Sequence, residues 1–344
     1  MPPRPAAPAE AGGPVQAPIT PADVARWAFW GPFRNALDPH RPGQVRALHR
    51  GWRLQHLAAR GGRRLMEDEF RRCFGNRYDD LGYKLLVKEA YRCAWRVHLE
   101  ELLLGKVGPD TVENFIVFEG RDNLDKALEH GRGVVWTYPH AGAVMMMLAW
   151  LAHHGYPYVQ YAARGLPPPE IAAANPQLMA TNKLREQVRR VREDNEDRVP
   201  CTFLTMDHPT RELYRRLAAN ELVGIAFDGR AARKFFVHPL LGRDAVLSTG
   251  PYRLATSRKA AVVPAFCHTP ADGPAVCVVG EPIIPGKDWR EVAEEVLRVQ
   301  QRWLNRWPAE YGIWMLHCRR RAQLDDHPLF GDTADNRDWE RWRG

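Results

Sequence analysis

No run of apolar residues in this sequence approaches the roughly 20 that a helix needs to cross a bilayer; the most apolar stretch, residues 141–152, falls well short. A membrane span is therefore not expected. Cysteine is scarce, with six in 344 residues, and no two of them form a Cys-x-x-Cys pair. Cys73, Cys93, Cys201, Cys267, Cys277 and Cys318 sit in apolar or basic stretches. They read as free thiols of a reducing compartment, and a disulfide framework is not expected. The histidines and cysteines show no metal-ligand spacing, which argues against zinc hydrolysis and leaves no metal site to name. A Gly-x-Ser-x-Gly elbow is missing too, so a serine hydrolase would lack its nucleophile. The lone Gly-x-Gly at Gly131 and Gly133 precedes a candidate strand instead of following one, the wrong context for a dinucleotide loop.

Acid is also in deficit. The 49 Lys and Arg against 41 Asp and Glu leave a formal charge of +8, which suits an anionic membrane surface, a phosphopantetheine carrier, nucleic acid or a phosphorylated substrate. Nucleic acid has only that net charge in its favour, and none is expected as a partner. Residues 1–20 are rich in Pro, Ala and Gly and lack the apolar core of a signal peptide, which reads as a disordered leader.

From 21 to about 110 the pattern is helical, with Arg-rich faces and interleaved Trp, Leu and Tyr. Residues 22–37 carry Val24, Trp27, Ala28, Phe29, Trp30 and Phe33 on a broad apolar side. That side fits either lipid or a packed catalytic domain, and the second is twice as common an explanation. From 111 to 322 short apolar runs alternate with amphipathic segments, the texture of a sheet covered by helices; residues 323–344 form a tail. Candidate strands are Phe115-Ile-Val-Phe, Val134-Val-Trp-Thr-Tyr, Tyr158-Val-Gln-Tyr, Leu222-Val-Gly-Ile-Ala-Phe, Ala261-Val-Val-Pro-Ala-Phe and Ala275-Val-Cys-Val-Val. Thr210 is positioned to cap one helix, and Asp288 with Glu291 gives a capping signature for another. The fold class expected is α/β, a central mixed sheet covered by helices with a helical N-terminal extension.

The strand ending at Tyr138 runs into Pro139, His140 and then Ala141-Gly142-Ala143, which places an imidazole at the carboxyl end of a strand, where open α/β sheets bind ligands. Such a group is suited to take a proton from a hydroxyl or amine. The small residues that follow allow a substrate to approach the backbone closely. Met145 and the apolar run after it read either as an acyl-chain groove or as core. The basic cluster 183–192 fits an acidic carrier or headgroup and equally a solvated helix face.

Between about Glu113 and Arg321 the segments resemble, in order, the lipid A lauroyl/myristoyl acyltransferase family of the lysophospholipid acyltransferase superfamily. Its relatives include mycobacterial phosphatidylinositol mannoside acyltransferases. The segments carrying the resemblance are Phe115-Ile-Val-Phe-Glu-Gly-Arg-Asp, Gly131-Arg-Gly-Val-Val-Trp-Thr-Tyr-Pro-His, Ile225-Ala-Phe-Asp, Phe236-Val-His-Pro-Leu-Leu-Gly, Ser248-Thr-Gly-Pro-Tyr-Arg-Leu-Ala, Ala260-Ala-Val-Val-Pro-Ala-Phe and Trp307-Pro-Ala-Glu-Tyr-Gly-Ile-Trp-Met-Leu-His-Cys-Arg-Arg-Arg. The resemblance implies a glycerolipid acyltransferase-like fold and transfer of a fatty-acyl group from acyl-CoA or acyl-carrier protein to a hydroxyl or amine. No cofactor beyond that donor is expected, and the location implied is cytoplasmic, at most peripheral on the inner face of the cell membrane.

In that family a His-x4-Asp/Glu motif supplies the base and its orienting carboxylate. The histidine falls on His140, but the carboxylate position falls on Met145, whose thioether is only a weak acceptor. Either another acid reaches His140, or the chain is a noncatalytic acyltransferase-like protein that binds an acyl chain or a partner. Asp228, after the strand from Leu222, is the better replacement and Asp207 the weaker; Asp228 reads equally as a carboxylate capping its own turn. Arg164 matches the family's arginine after the next strand, suited to a phosphate or a developing oxyanion. Arg253 serves either a donor phosphate or a salt bridge. Thr249 and Gly250 open a helix whose free N–H groups suit an anion.

Overall fold

A computed structural model of the protein describes residues 16–162, 180–205, 208–230, 232, 234–322 and 328–333. Seven strands form one sheet in the order β1-β9-β8-β2-β5-β3-β4, with β1 Ile116–Glu119, β2 Val134–Tyr138, β3 Tyr158–Tyr161, β4 Thr202–Leu204, β5 Leu222–Ala226, β8 Ala261–His268 and β9 Ala275–Val279. Only β8 and β9 pair antiparallel; the other neighbours are parallel. The mixed sheet expected from the sequence is therefore present. All six expected strands form, with ends moved by a residue or two. Three more were not anticipated: β4 and the separate antiparallel hairpin of β6 Phe235–Leu240 and β7 Arg243–Ser248.

The apolar runs are continuous because the central strands are covered on both faces. Along β2, Val135 joins the apolar cluster on one face, and Val134, Trp136 and Tyr138 join the cluster on the other. On the Val135 face lie Met66 and Phe70 of helix Arg60–Phe74, Val87 of helix Asp80–Glu101, Val292 and Val296 of helix Trp289–Arg306, and Met315 of helix Gly312–Arg321. The N-terminal helices thus share the sheet's own core. On the opposite face, helix Val144–His153 buries Met146 through Leu151.

Helix Pro21–Ala28 lies against helix Lys183–Asp197, where Arg185 pairs with the buried Asp23 at 2.9 Å and Arg192 lies over Trp30. Phe29, Trp30 and Phe33 pack on the second cluster, and only Val24 and Trp27 of that apolar side are left exposed. Part of the basic cluster is thus spent on holding the first helix down. Residues 328–333 return onto the hairpin, Val246 N–H donating to Leu329 at 2.9 Å. Thr210 does not cap its helix. The chain already turns at Pro209, whose carbonyl accepts from Glu212 N–H, so Thr210 sits in helical geometry and not in the extended one a cap requires. Asp288 does cap, accepting from Arg290 N–H at 2.9 Å.

His49, after helix Pro42–Leu48, carries a buried Nε2 with no hydrogen-bond partner among the described residues. Desolvation, then the charges of Arg96, Arg92 and Arg46, pushes its imidazole from 6.5 down to about 4. Because the folded-state value is depressed, the unfolded chain protonates first. The stability present above about 6.5 is then lost as pH falls toward 4. Melting temperature is expected to drop across that window, and His49→Gln to flatten the drop. Identical slopes for the two proteins would refute this assignment.

Candidate active site

The sheet's register builds the site. β2 and β5 are parallel neighbours that pair Val134 with Leu222 and Tyr138 with Ala226. The residues two beyond each strand end, His140 and Asp228, therefore leave the sheet side by side. Asp228 is 0% exposed, while the His140 side chain is 38% exposed. The carboxylate receives His140 Nδ1 at 2.7 Å on Oδ1, His140 backbone N–H at 3.0 Å on Oδ2, and Tyr311 OH at 2.9 Å on Oδ2. A carboxylate only accepts, so the ring hydrogen sits on Nδ1 and Nε2 keeps its lone pair. No described residue hydrogen-bonds to Nε2. The ring is also held from the side, stacked on Trp314 at 3.8 Å and 14°.

The backbone after His140 turns tightly. Ala141 N–H donates to Pro139 at 2.8 Å and Val144 N–H to Gly142 at 2.9 Å. Gly142 has φ +64°, and a Cβ there would stand 2.2 Å from the Cys267 carbonyl oxygen at the end of β8, so only glycine fits. This packing of the turn onto β8 fixes where His140 leaves β2. On the other strand, the carboxylate of Asp228 accepts no hydrogen bond from its own loop among the described residues. That loop is held by Arg230, whose guanidinium donates to the carbonyls of Asp228 at 3.2 Å, Pro328 at 2.9 Å and Val246 at 2.6 Å.

The remaining described candidates make no hydrogen bond to this pair. Met145 is partly buried at the start of helix Val144–His153, against the apolar cluster beneath the sheet. Arg253 is exposed on helix Gly250–Arg258, its guanidinium 4.8 Å from the Trp289 ring. Two of the N–H groups at this helix start, expected to suit an anion, are already engaged. Thr249 N–H donates to Lys234 at 3.1 Å, Gly250 N–H donates to Ser248 Oγ at 3.1 Å, and Pro251 has none to offer. Thr249 and Gly250 thus anchor the helix to the hairpin approach through their own N–H groups. Arg164 and Asp207 lie outside the described residues.

Two groups at the site were not singled out from sequence, Tyr311 and Trp314. They come from the turn Pro308–Tyr311 and the helix Gly312–Arg321 that follows it. Their signal was the aromatic spacing Tyr311, Trp314, His317, three residues apart on one helical face. Burial pushes the Tyr311 hydroxyl well above its ordinary range, and the adjoining Asp228 charge pushes the same way, so it stays a hydrogen-bond donor.

A neutral imidazole whose Nδ1 is fixed by a buried carboxylate, and whose Nε2 has no hydrogen-bond partner among the described residues, is able to accept a proton from a nucleophile brought against it. A family model described as bacterial lipid A biosynthesis acyltransferase matches residues 46–321. No curated protein matches the chain. The matched stretch begins in helix Pro42–Leu48, ahead of the sheet, and takes in His140, Asp228, Tyr311 and Trp314.

Proposed function

Since the chain belongs to the bacterial lipid A biosynthesis acyltransferase family, we propose that it transfers a fatty-acyl group from an acyl-CoA or acyl-carrier thioester to a hydroxyl or amine, with His140 as general base. The acceptor oxygen or nitrogen attacks the thioester carbonyl carbon while His140 Nε2 removes its proton. The tetrahedral intermediate then collapses, the C–S bond breaks, and the imidazolium returns the proton to the departing thiolate. Asp228 holds the imidazole in the required tautomer and faces the positive charge as it forms. For the oxyanion, Arg164 is retained on the resemblance alone. The observation that carries this reading is the 2.7 Å bond from His140 Nδ1 to Asp228, because it supplies the carboxylate that Met145 cannot.

Incubation with long-chain acyl-CoA and a broad panel of alcohols and amines tests it. Thiol release that depends on acceptor is expected, with the acyl group found on the acceptor by mass spectrometry. No transfer to any acceptor would favour a noncatalytic acyl-chain or partner-binding protein.

We place the reaction on the cytoplasmic side, which the sequence's low cysteine use, with no Cys-x-x-Cys pair, supports. No described helix is long and apolar enough to cross a membrane. Peripheral contact is supported by Leu54 and Leu57, 75% and 62% exposed on helix Trp52–Ala58, and by Leu81 and Leu85 on helix Asp80–Glu101. Exposed Arg53, Arg60, Lys84 and Lys88 stand among them, which suits an anionic lipid surface. Pelleting with anionic liposomes, together with acylation of lysolipid or glycolipid alone, would identify a membrane acceptor. A protein left in the supernatant points to a diffusible one, such as an amino sugar or peptide.

A further inference from the structure

The indole that stacks on His140 also stacks on a second imidazole, His317, one helical turn further on at 5.2 Å. Arg320 and Arg321 follow on the same helix, Gly312–Arg321. A Cβ added to Gly62 would lie 2.7 Å from an Nη of Arg320 and 2.7 Å from the Tyr91 hydroxyl. The Arg320 guanidinium is therefore laid against the backbone of helix Arg60–Phe74, one residue from Arg63. Arg63 reaches His56 Nδ1 at 3.5 Å, and the Nε of Arg321 is buried with no hydrogen-bond partner.

Three other arginines of these two helices have acids, whereas Arg60 and Arg64, like Arg63, pair with none among the described residues. Arg71 pairs with Glu67 and Asp80, and Arg72 with Asp68. Glu69 is shared between Arg243 at 2.6 Å and Arg319 at 3.5 Å. Among the described residues no carboxylate pairs with Arg63, Arg320 or Arg321. Like charges gathered without a counter-charge repel one another, and an arriving anion relieves that repulsion. The local field is felt by His317: desolvation by its neighbours, then the charges of Arg321, of His140 once it is protonated, and of Arg320, push its imidazole down to about 4.

We propose that Arg63, Arg320 and Arg321 form a phosphate-binding subsite beside the His140–Asp228 pair, which takes a phosphate ester carried by one of the two reactants. Guanidinium groups suit phosphate because their planar donors form paired, charge-assisted bonds to its oxygens. The acyl-transfer reading is needed only to say what that reactant is, a phosphopantetheine donor or a phosphorylated alcohol as acceptor.

Calorimetric titration of the full chain with inorganic pyrophosphate, CoA and glycerol 3-phosphate, with pantetheine as the phosphate-free control, tests the subsite without requiring turnover. Pyrophosphate and at least one ester are expected to bind, more weakly as salt is raised. The double variant Arg320→Gln/Arg321→Gln is expected to weaken that binding about tenfold or more, from the loss of charge-assisted pairs. Whether CoA or glycerol 3-phosphate loses affinity identifies the source of the phosphate. Arg63→Gln, on a different helix, should weaken the same probes with an unchanged melting temperature, which guards against a folding defect in the double variant. The subsite is overturned if the wild-type chain binds none of the phosphates, if both variants bind them as wild type does, or if pantetheine is weakened equally. An inactive protein that still binds phosphate through these arginines would sink the acyl-transfer reading and leave the subsite standing.

Discussion

His140→Ala is expected to reduce kcat for acyl transfer by about 10³-fold, the middle of the range for a positioned general base and roughly 4 kcal/mol of activation free energy. The reason lies in what else in the site is able to accept a proton. Asp228 has both oxygens occupied by Tyr311 and by the His140 backbone and ring, and it is sealed from solvent. It cannot reach a nucleophile that Nε2 is placed to meet. KM for the acyl donor should change little, because a proton transfer made in the transition state adds little to ground-state binding. Melting should also hold, since the side chain is more than a third exposed and leaves no large cavity. Met145→Ala is the matched control and should keep turnover within a few-fold, since its side chain makes no hydrogen bond to the pair. A His140→Ala protein as active as wild type would remove the imidazole from the mechanism.

The parts of this site legible in the sequence were those written locally. The run Val134-Val-Trp-Thr-Tyr announces a buried strand, and Pro139 ends it because it has no N–H to give to a ladder. His140 at a strand end follows from those two facts. The partner carboxylate was not legible in the same way, because 88 residues separate His140 from Asp228 and only the β2–β5 register decides whether they meet. A slip of one residue would have turned Asp228 to the other face. Pattern failed differently at the hairpin. β6 contains Pro239 and mixes partly buried with exposed positions, so it lacks the continuous apolar run by which the sheet strands were found. At Thr249 and Gly250 the local reading of a helix start was correct, but the partners that occupy those N–H groups, Ser248 Oγ and the Lys234 carbonyl, come from the hairpin strand end and the loop before it. Tyr311 and Trp314 were hidden because aromatic residues at helical spacing ordinarily mean core, and nothing local shows that one of them ends on a carboxylate and the other on an imidazole.

Asp228→Asn should lower kcat by about 10²- to 10⁴-fold, the span expected when an imidazole loses the acceptor that fixes its tautomer. Three donors converge on Asp228, and the two oxygens of a carboxylate accept all of them. An asparagine has one oxygen and an NH₂ group, so at least one donor must face another donor. If the amide nitrogen turns toward Nδ1, that nitrogen has to give up its hydrogen, which moves to Nε2 and blocks the lone pair that would receive the proton. If it turns toward Tyr311, the tautomer survives but the His140 backbone N–H, which shares that oxygen and cannot accept, faces the amide and loses its acceptor together with the hydroxyl, at a cost of about 1–3 kcal/mol of stability. Tyr311→Phe separates these cases, because it removes one of the two donors stranded in the second and should restore part of the melting temperature lost in Asp228→Asn, and none of it in the first. The double variant His140→Ala/Asp228→Asn should be no slower than His140→Ala alone, since the carboxylate acts only through the ring. Losses that multiply would mean that Asp228 touches the chemistry by a route that bypasses His140, and the pair could then no longer be treated as one device.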